Sequence, residues 1–208
     1  MFGRRRSHQP EHQAAKQSFE DDRLLATVRV ASDHPSEIRS LGRRDVDFDF
    51  DRVFIPSLVI DHTELVLRHA GLYGDEGFVV WAGTICGGNA HITSLVLPQI
   101  SGKRTHGEIS SNTTANVFTA LDERDLVPVI QLHSHPRGAF LSSVDAIRPF
   151  VAVRGFISVI IPNFGFVDLA DVGLWSAHEF GGPDRWRELD LTERKGRFVI
   201  DDSVIRVD

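Results

Sequence analysis

The stretch that most constrains this chain is Val127-Pro-Val-Ile-Gln-Leu-His-Ser-His135. It is an apolar, β-prone run ending in two imidazoles one residue apart, and it reads as a buried strand running out into a polar end. Side chains on a strand alternate between faces, so His133 and His135 point to the same side. Pro136 and Gly138 then turn the chain, and a helix starting near Ser142 is expected to bring Asp145 back on its first turn. Strand end, loop and helix start thus meet at one point.

Two imidazoles and a carboxylate within residues 133–145 are the right set for a catalytic zinc, because three protein ligands leave a fourth position for water. Each half of the pattern also has an ordinary structural reading. Histidines at a strand end are often only solvated. Ser142-x-x-Asp145 has the form of a helix capping box, with Ser142 at the N-cap. The two halves together favour the metal site, and one serine can both cap a helix and face that site.

At 208 residues the chain can bury a sizeable core. With 41% hydrophobic and 25% charged residues and a mean hydropathy of −0.13, it is composed like a soluble globular protein. A net charge of −6 gives no electrostatic support for nucleic-acid binding. Cys86 is the sole cysteine, which excludes an intramolecular disulfide and a thiolate-rich zinc finger. Inside an apolar strand-like run, it is expected to be a buried, inert thiol. No apolar run reaches the roughly 18 residues of a membrane span. The basic N-terminus has no hydrophobic segment behind it, so no secretory signal is expected and a cytoplasmic protein is.

Along the chain, residues 1–22 read as a flexible tail and 23–55 as a strand-rich extension, with strands at Leu24–Ala31 and Val46–Asp51 and a short turn or helix near Ser36–Leu41. Pro56 opens the main domain, 56–178. Asp61-x-x-Glu64 reads as the cap of a helix running to about Ala70. Glu76–Ile85 and His91–Leu97 read as strands joined by a Gly87-Gly88-Asn89 hairpin. Residues 99–109 form a polar loop. Ser110 or Ser111 caps a helix whose Val117, Phe118 and Leu121 share an apolar face. A helix from Ser142 to about Val153 and strands at Phe156–Pro162, Phe164–Leu169 and Val172–Ala177 follow. Residues 179–208 are read as a strand extension packed on the core, with two short strands around the Asp201-Asp202-Ser203 turn. The expected fold is α/β: a mixed, mainly antiparallel sheet flanked by helices.

A zinc hydrolase also needs a general base that is not a ligand. Glu76 fits, since it opens a strand directly after a helix end and has no capping role. Glu64 already has such a role, and Glu108 sits in a loop without a partner pattern.

With these residues in place, the chain resembles the JAMM (JAB/MPN) metalloproteases, in particular their stand-alone prokaryotic JAB branch. The resemblance covers roughly residues 56–178. It rests on Glu76, His133-Ser-His-Pro136 and Ser142-x-x-Asp145, with Gly83 where the family usually has glycine. It implies a cytidine-deaminase-like architecture and one Zn2+ per chain on His133, His135 and Asp145. Glu76 is implied as the proton-transferring base and Ser142 as the donor to the developing oxyanion. It further implies hydrolysis of the peptide or isopeptide bond after the C-terminus of a ubiquitin-like protein, in a bacterial conjugation or antiphage pathway. Activating and conjugating enzymes of that pathway are the implied further partners, with no nucleic acid and no membrane. The competing readings are a JAB hydrolase acting on a sulfur-carrier protein, a cell-wall peptidase, and a non-catalytic scaffold.

Overall fold

The computed structural model of the chain describes residues 48–98, 109–183 and 185–201. The elements are β1 (Arg52–Pro56), α1 (Ser57–Leu72), β2 (Phe78–Cys86), β3 (Asn89–Val96), α2 (Ser111–Asp122) and β4 (Val127–Ser134). They continue with α3 (Ser143–Ile147), β5 (Ile157–Ile161), β6 (Ser176–Gly182), β7 (Arg185–Glu188), α4 (Leu191–Arg197) and β8 (Phe198–Asp201). All eight strands join one sheet in the order β7-β6-β5-β4-β2-β3-β1-β8. Four neighbouring pairs are antiparallel, while β1–β3, β1–β8 and β4–β5 are parallel. The fold is α/β, a mixed sheet flanked by helices, as the element order implied.

The centre of the sheet is buried on both faces, so β2 and β4 read as continuous apolar runs. Val79 and Trp81 join the cluster that contains Val59, Ile60 and Leu67 of α1. Val80 and Ala82, pointing the other way, pack with Val117 and Leu121 of α2. Burial of each of those two α2 side chains contributes roughly 1.5–3 kcal/mol. Trp81 is fully buried, and its indole N–H donates to Thr63 Oγ1 at 2.9 Å, so the polar edge of the largest core side chain has a partner. The hairpin forms at Gly87-Gly88, whose φ values of 56° and 71° are those of a two-residue turn that glycine adopts freely. Gly83 marks an irregularity in the β2–β3 register, and a Cβ there would stand 1.9 Å from the His91 carbonyl oxygen. That close approach of β3 is the physical reason for a glycine at this position.

Several local expectations are corrected. α1 begins at Ser57 directly from β1 with no side-chain cap. Asp61 and Glu64 therefore lie inside the helix, and Glu64 accepts the Leu169 N–H at 2.9 Å while pairing with Arg68 at 3.0 Å. The segment 164–169 is not a strand. Short 3-10 turns occupy Asn163–Gly165 and Val172–Leu174, and the carbonyls of Gly165 and Val167 accept from Arg68 instead of a ladder partner. α3 stops at Ile147, well short of Val153, because Pro149 disfavours helical backbone at the residue before it and lacks a donor. Phe48 and Phe50 are buried and Asp49 is exposed, but these residues make no ladder. α4 was not anticipated, although Asp190 and Glu193 form a complete capping box at its start. Cys86 is exposed at the hairpin end of β2, not buried. The expected elements at Leu24–Ala31 and Ser36–Leu41, the loop 99–108 and the strand beyond Asp201 lie outside the described residues.

Candidate metal centre

The site forms where β4 leaves the middle of the sheet. β2 runs antiparallel on one side, with Phe78 opposite His133, and β5 runs parallel on the other, with Ile160 beside His133. The His135 N–H extends that parallel ladder by donating to the Ile161 carbonyl at 2.8 Å. Both histidines are thus held by main-chain pairing, His133 within β4 and His135 one residue past its end, and both are buried, with 6% exposure each. Their Nε2 atoms lie 3.1 Å apart.

The third donor arrives with α3. Ser142 is its N-cap: its Oγ accepts the Asp145 N–H at 3.2 Å, and its own N–H donates to Asp145 Oδ2 at 3.0 Å. This reciprocal capping box fixes the carboxylate, whose Oδ2 stands 3.4 Å from His133 Nε2 and 3.5 Å from His135 Nε2. The structural and functional readings of Ser142-x-x-Asp145 are therefore both compatible with one geometry. Burial on its own would raise the Asp145 carboxyl. Hydrogen bonds with both histidines, the charge of His133 and the Ser142 contact outweigh burial and hold it well below the usual carboxylate range.

The fit to a metal can be tested on these distances. Donors about 2.0–2.1 Å from a tetrahedral ion are about 3.3 Å from one another. The three separations of 3.1, 3.4 and 3.5 Å bracket that value. Among the described residues, His133, His135 and Asp145 form a group able to hold a metal ion.

Glu76 and Ser142 line the same cavity of about 930 Å³ as the three donors. Continuing the β2–β4 register two residues beyond Phe78 sets Glu76 across from His135, on the face that carries both histidines. Glu64, a rival for the base, is occupied with Leu169 and Arg68. Glu108 lies outside the described residues. Ser142 Oγ uses a lone pair in the cap, which leaves its proton for a donor role.

Sequence reasoning missed the surrounding support. Phe140 packs edge-on against His135, ring centroids 4.9 Å apart. Gln131, one step down the same face of β4 from His133, accepts the Phe150 N–H at 2.8 Å and donates to Ser158 at 3.0 Å. It thereby holds the Phe150 wall of the cavity. The available signal was a lone amide in an otherwise apolar strand, Val129-Ile-Gln-Leu132.

No protein-family model matches the chain. A protein of Sinorhizobium fredii (strain NBRC 101917 / NGR234), named probable metalloprotease y4jG, is 26% identical over 147 residues, covering 68% of this chain and 89% of that protein. The solution structure of protein DSY2949 from Desulfitobacterium hafniense is similar in fold. It matches with a TM-score of 0.54 at 13% identity, over 73% of this chain and 94% of that one. Similarity to a protein named as a metalloprotease, together with a His-His-Asp group able to hold a metal, supports a metallopeptidase. No helix among the described residues is long and apolar enough to cross a membrane.

Proposed function

We propose that this protein is a JAMM-type zinc peptidase that hydrolyses the peptide or isopeptide bond after the C-terminus of a ubiquitin-like protein, in a bacterial conjugation or antiphage pathway with its own activating and conjugating enzymes. The observation that carries the chemistry is the convergence of His133, His135 and Asp145 at tetrahedral separations, with Glu76 and Ser142 lining the same cavity. The substrate class follows from the resemblance to the JAB branch.

Two imidazoles and one carboxylate would hold the ion. Zinc bound there supplies a Lewis acid that polarises a carbonyl and brings the pKa of water to about 7. Glu76 takes the proton from the attacking water and hands it to the leaving nitrogen, an exchange worth about 10²–10⁴-fold. Ser142 donates its hydroxyl proton to the oxygen that gains charge as the carbonyl becomes tetrahedral. The capping box keeps that hydroxyl and the Asp145 carboxylate in fixed relation.

The test compares three substrates under zinc: a ubiquitin-like protein fused to a C-terminal reporter, an unstructured peptide carrying the same tail, and a sulfur-carrier fusion. Cleavage of the first, abolished by Glu76→Gln with zinc content intact, is the expected result. Equal cleavage of fusion and free peptide would remove the ubiquitin-like recognition. Cleavage of the sulfur-carrier fusion alone would assign the chemistry to that substrate.

A further inference from the structure

Ser134 lies between the two histidines, but on a strand its side chain projects to the opposite face. It is fully buried and does not belong to the donor group. Its bonds run instead to Gly77, the residue just ahead of β2. The Ser134 N–H donates to the Gly77 carbonyl at 2.9 Å, an ordinary rung of the antiparallel ladder. The return bond is not ordinary: the Gly77 N–H donates to Ser134 Oγ, also at 2.9 Å, in place of a main-chain carbonyl. That N–H belongs to the peptide unit joining Glu76 to Gly77. The hydroxyl therefore holds the plane from which the Glu76 side chain departs.

The other side of this peptide is closed by α1. A Cβ on Gly77 would stand 2.8 Å from Leu67 Cδ2 and 3.0 Å from Leu67 Cα, the latter a main-chain atom that cannot move aside. The Glu76–Gly77 peptide thus lies close enough to α1 to exclude a side chain at position 77, and it is hydrogen-bonded to the last residue of β4. A base must lie about 2.6–3.2 Å from the proton it takes, and a misplacement near 1 Å costs on the order of 10²-fold.

We infer that Ser134, with Gly77 as its tightly packed partner, is a positioning residue for Glu76; this rests on the peptidase reading above. The histidines and the base are then set by one strand end. His133 at the end of β4 and His135 just past it belong to the donor group, and the residue between them holds the peptide that leads from Glu76 into β2.

The experiment is a double-mutant cycle of Ser134→Ala and Glu76→Gln on the full chain with zinc, reading kcat, KM and metal content for the reporter fusion. Ser134→Ala is expected to lower kcat about 10–10²-fold, with KM within a few-fold and zinc retained. In the Glu76→Gln background the same substitution is expected to change the residual rate less than about threefold, because groups that act as a unit are not additive. An equal loss in both backgrounds, or wild-type kcat in Ser134→Ala, overturns the inference. Ser134→Thr keeps the hydroxyl: recovery of most of the lost kcat supports the clamp, and a variant as slow as Ser134→Ala overturns it. A zinc-loaded wild type that cleaves none of the substrates removes the peptidase reading and this inference with it, a result distinct from the others.

Discussion

Asp145→Asn separates two jobs performed by one carboxylate. Asp145 Oδ2 accepts the Ser142 N–H at 3.0 Å and stands 3.4 and 3.5 Å from the imidazole nitrogens. An amide oxygen can still accept from Ser142, so the capping box survives. A neutral amide lacks the charge that makes a carboxylate a zinc donor. Removing one of three donors is expected to weaken zinc binding at least about 10²-fold, the upper end of the loss seen when a mere supporting partner is removed. At zinc concentrations that saturate the wild type, 10² in affinity corresponds to about 2.7 kcal/mol of lost stabilisation. For a chain of this size, roughly 2–4 °C per kcal/mol makes that a melting temperature about 5–11 °C lower. In chelator the difference should shrink to the cost of a perturbed cap, about 1 kcal/mol or less. Thermal melts at pH 7.5 with and without zinc, paired with elemental analysis, read both numbers. Full zinc content in the Asn variant, or the same melting difference in zinc and in chelator, would show that the carboxylate caps α3 and does not bind metal.

Ser142→Ala is expected to cost about 1 kcal/mol of stability through the cap and about 10²–10³-fold in kcat through the lost donor; lowered stability with intact specific activity would leave only the cap. Gly83→Ala should destabilise by about 1–3 kcal/mol or more, since its Cβ meets the His91 carbonyl; an unchanged denaturation midpoint would refute the close approach. His178 is held below its ordinary 6.5 by burial, opposed by Glu188 and reinforced by Arg194 and His133. The unfolded chain thus takes up a proton near pH 6.5 that the folded chain resists. In chelator, stability should fall as the pH drops below 6.5, and His178→Gln should fall less between pH 7.5 and 5.5; parallel pH profiles would refute this.

The candidate site was legible to the extent that it is local. His133 and His135 share a face because any strand alternates, and Ser142 with Asp145 forms a cap because any helix start needs one. These rules act within a few residues, so sequence spacing carries them. Cys86 and Phe118 show where such reasoning stops. Cys86 sits in an apolar run and Phe118 on an expected apolar helix face, yet Cys86 is exposed at a hairpin and Phe118 is 39% exposed, stacked on Phe150 at 5.8 Å. Composition cannot tell which end of a strand faces the turn, or which helical face a distant loop will cover.

From sequence alone came the α/β class, the strand that carries His133 and ends just before His135, and the turn that follows; Glu76, expected to open a strand, stands two residues ahead of β2. Only the folded chain decided that β4 lies between β2 and β5, in the interior of the sheet that the described residues form. It also decided that Asp145 stands within 3.5 Å of both imidazoles. The Ser134 hydroxyl and the Gly77 amide are 57 residues apart in the chain. Their meeting depends on strand order and register, which are set by how whole faces of the sheet bury against α1 and α2 and are not written in the neighbourhood of either residue.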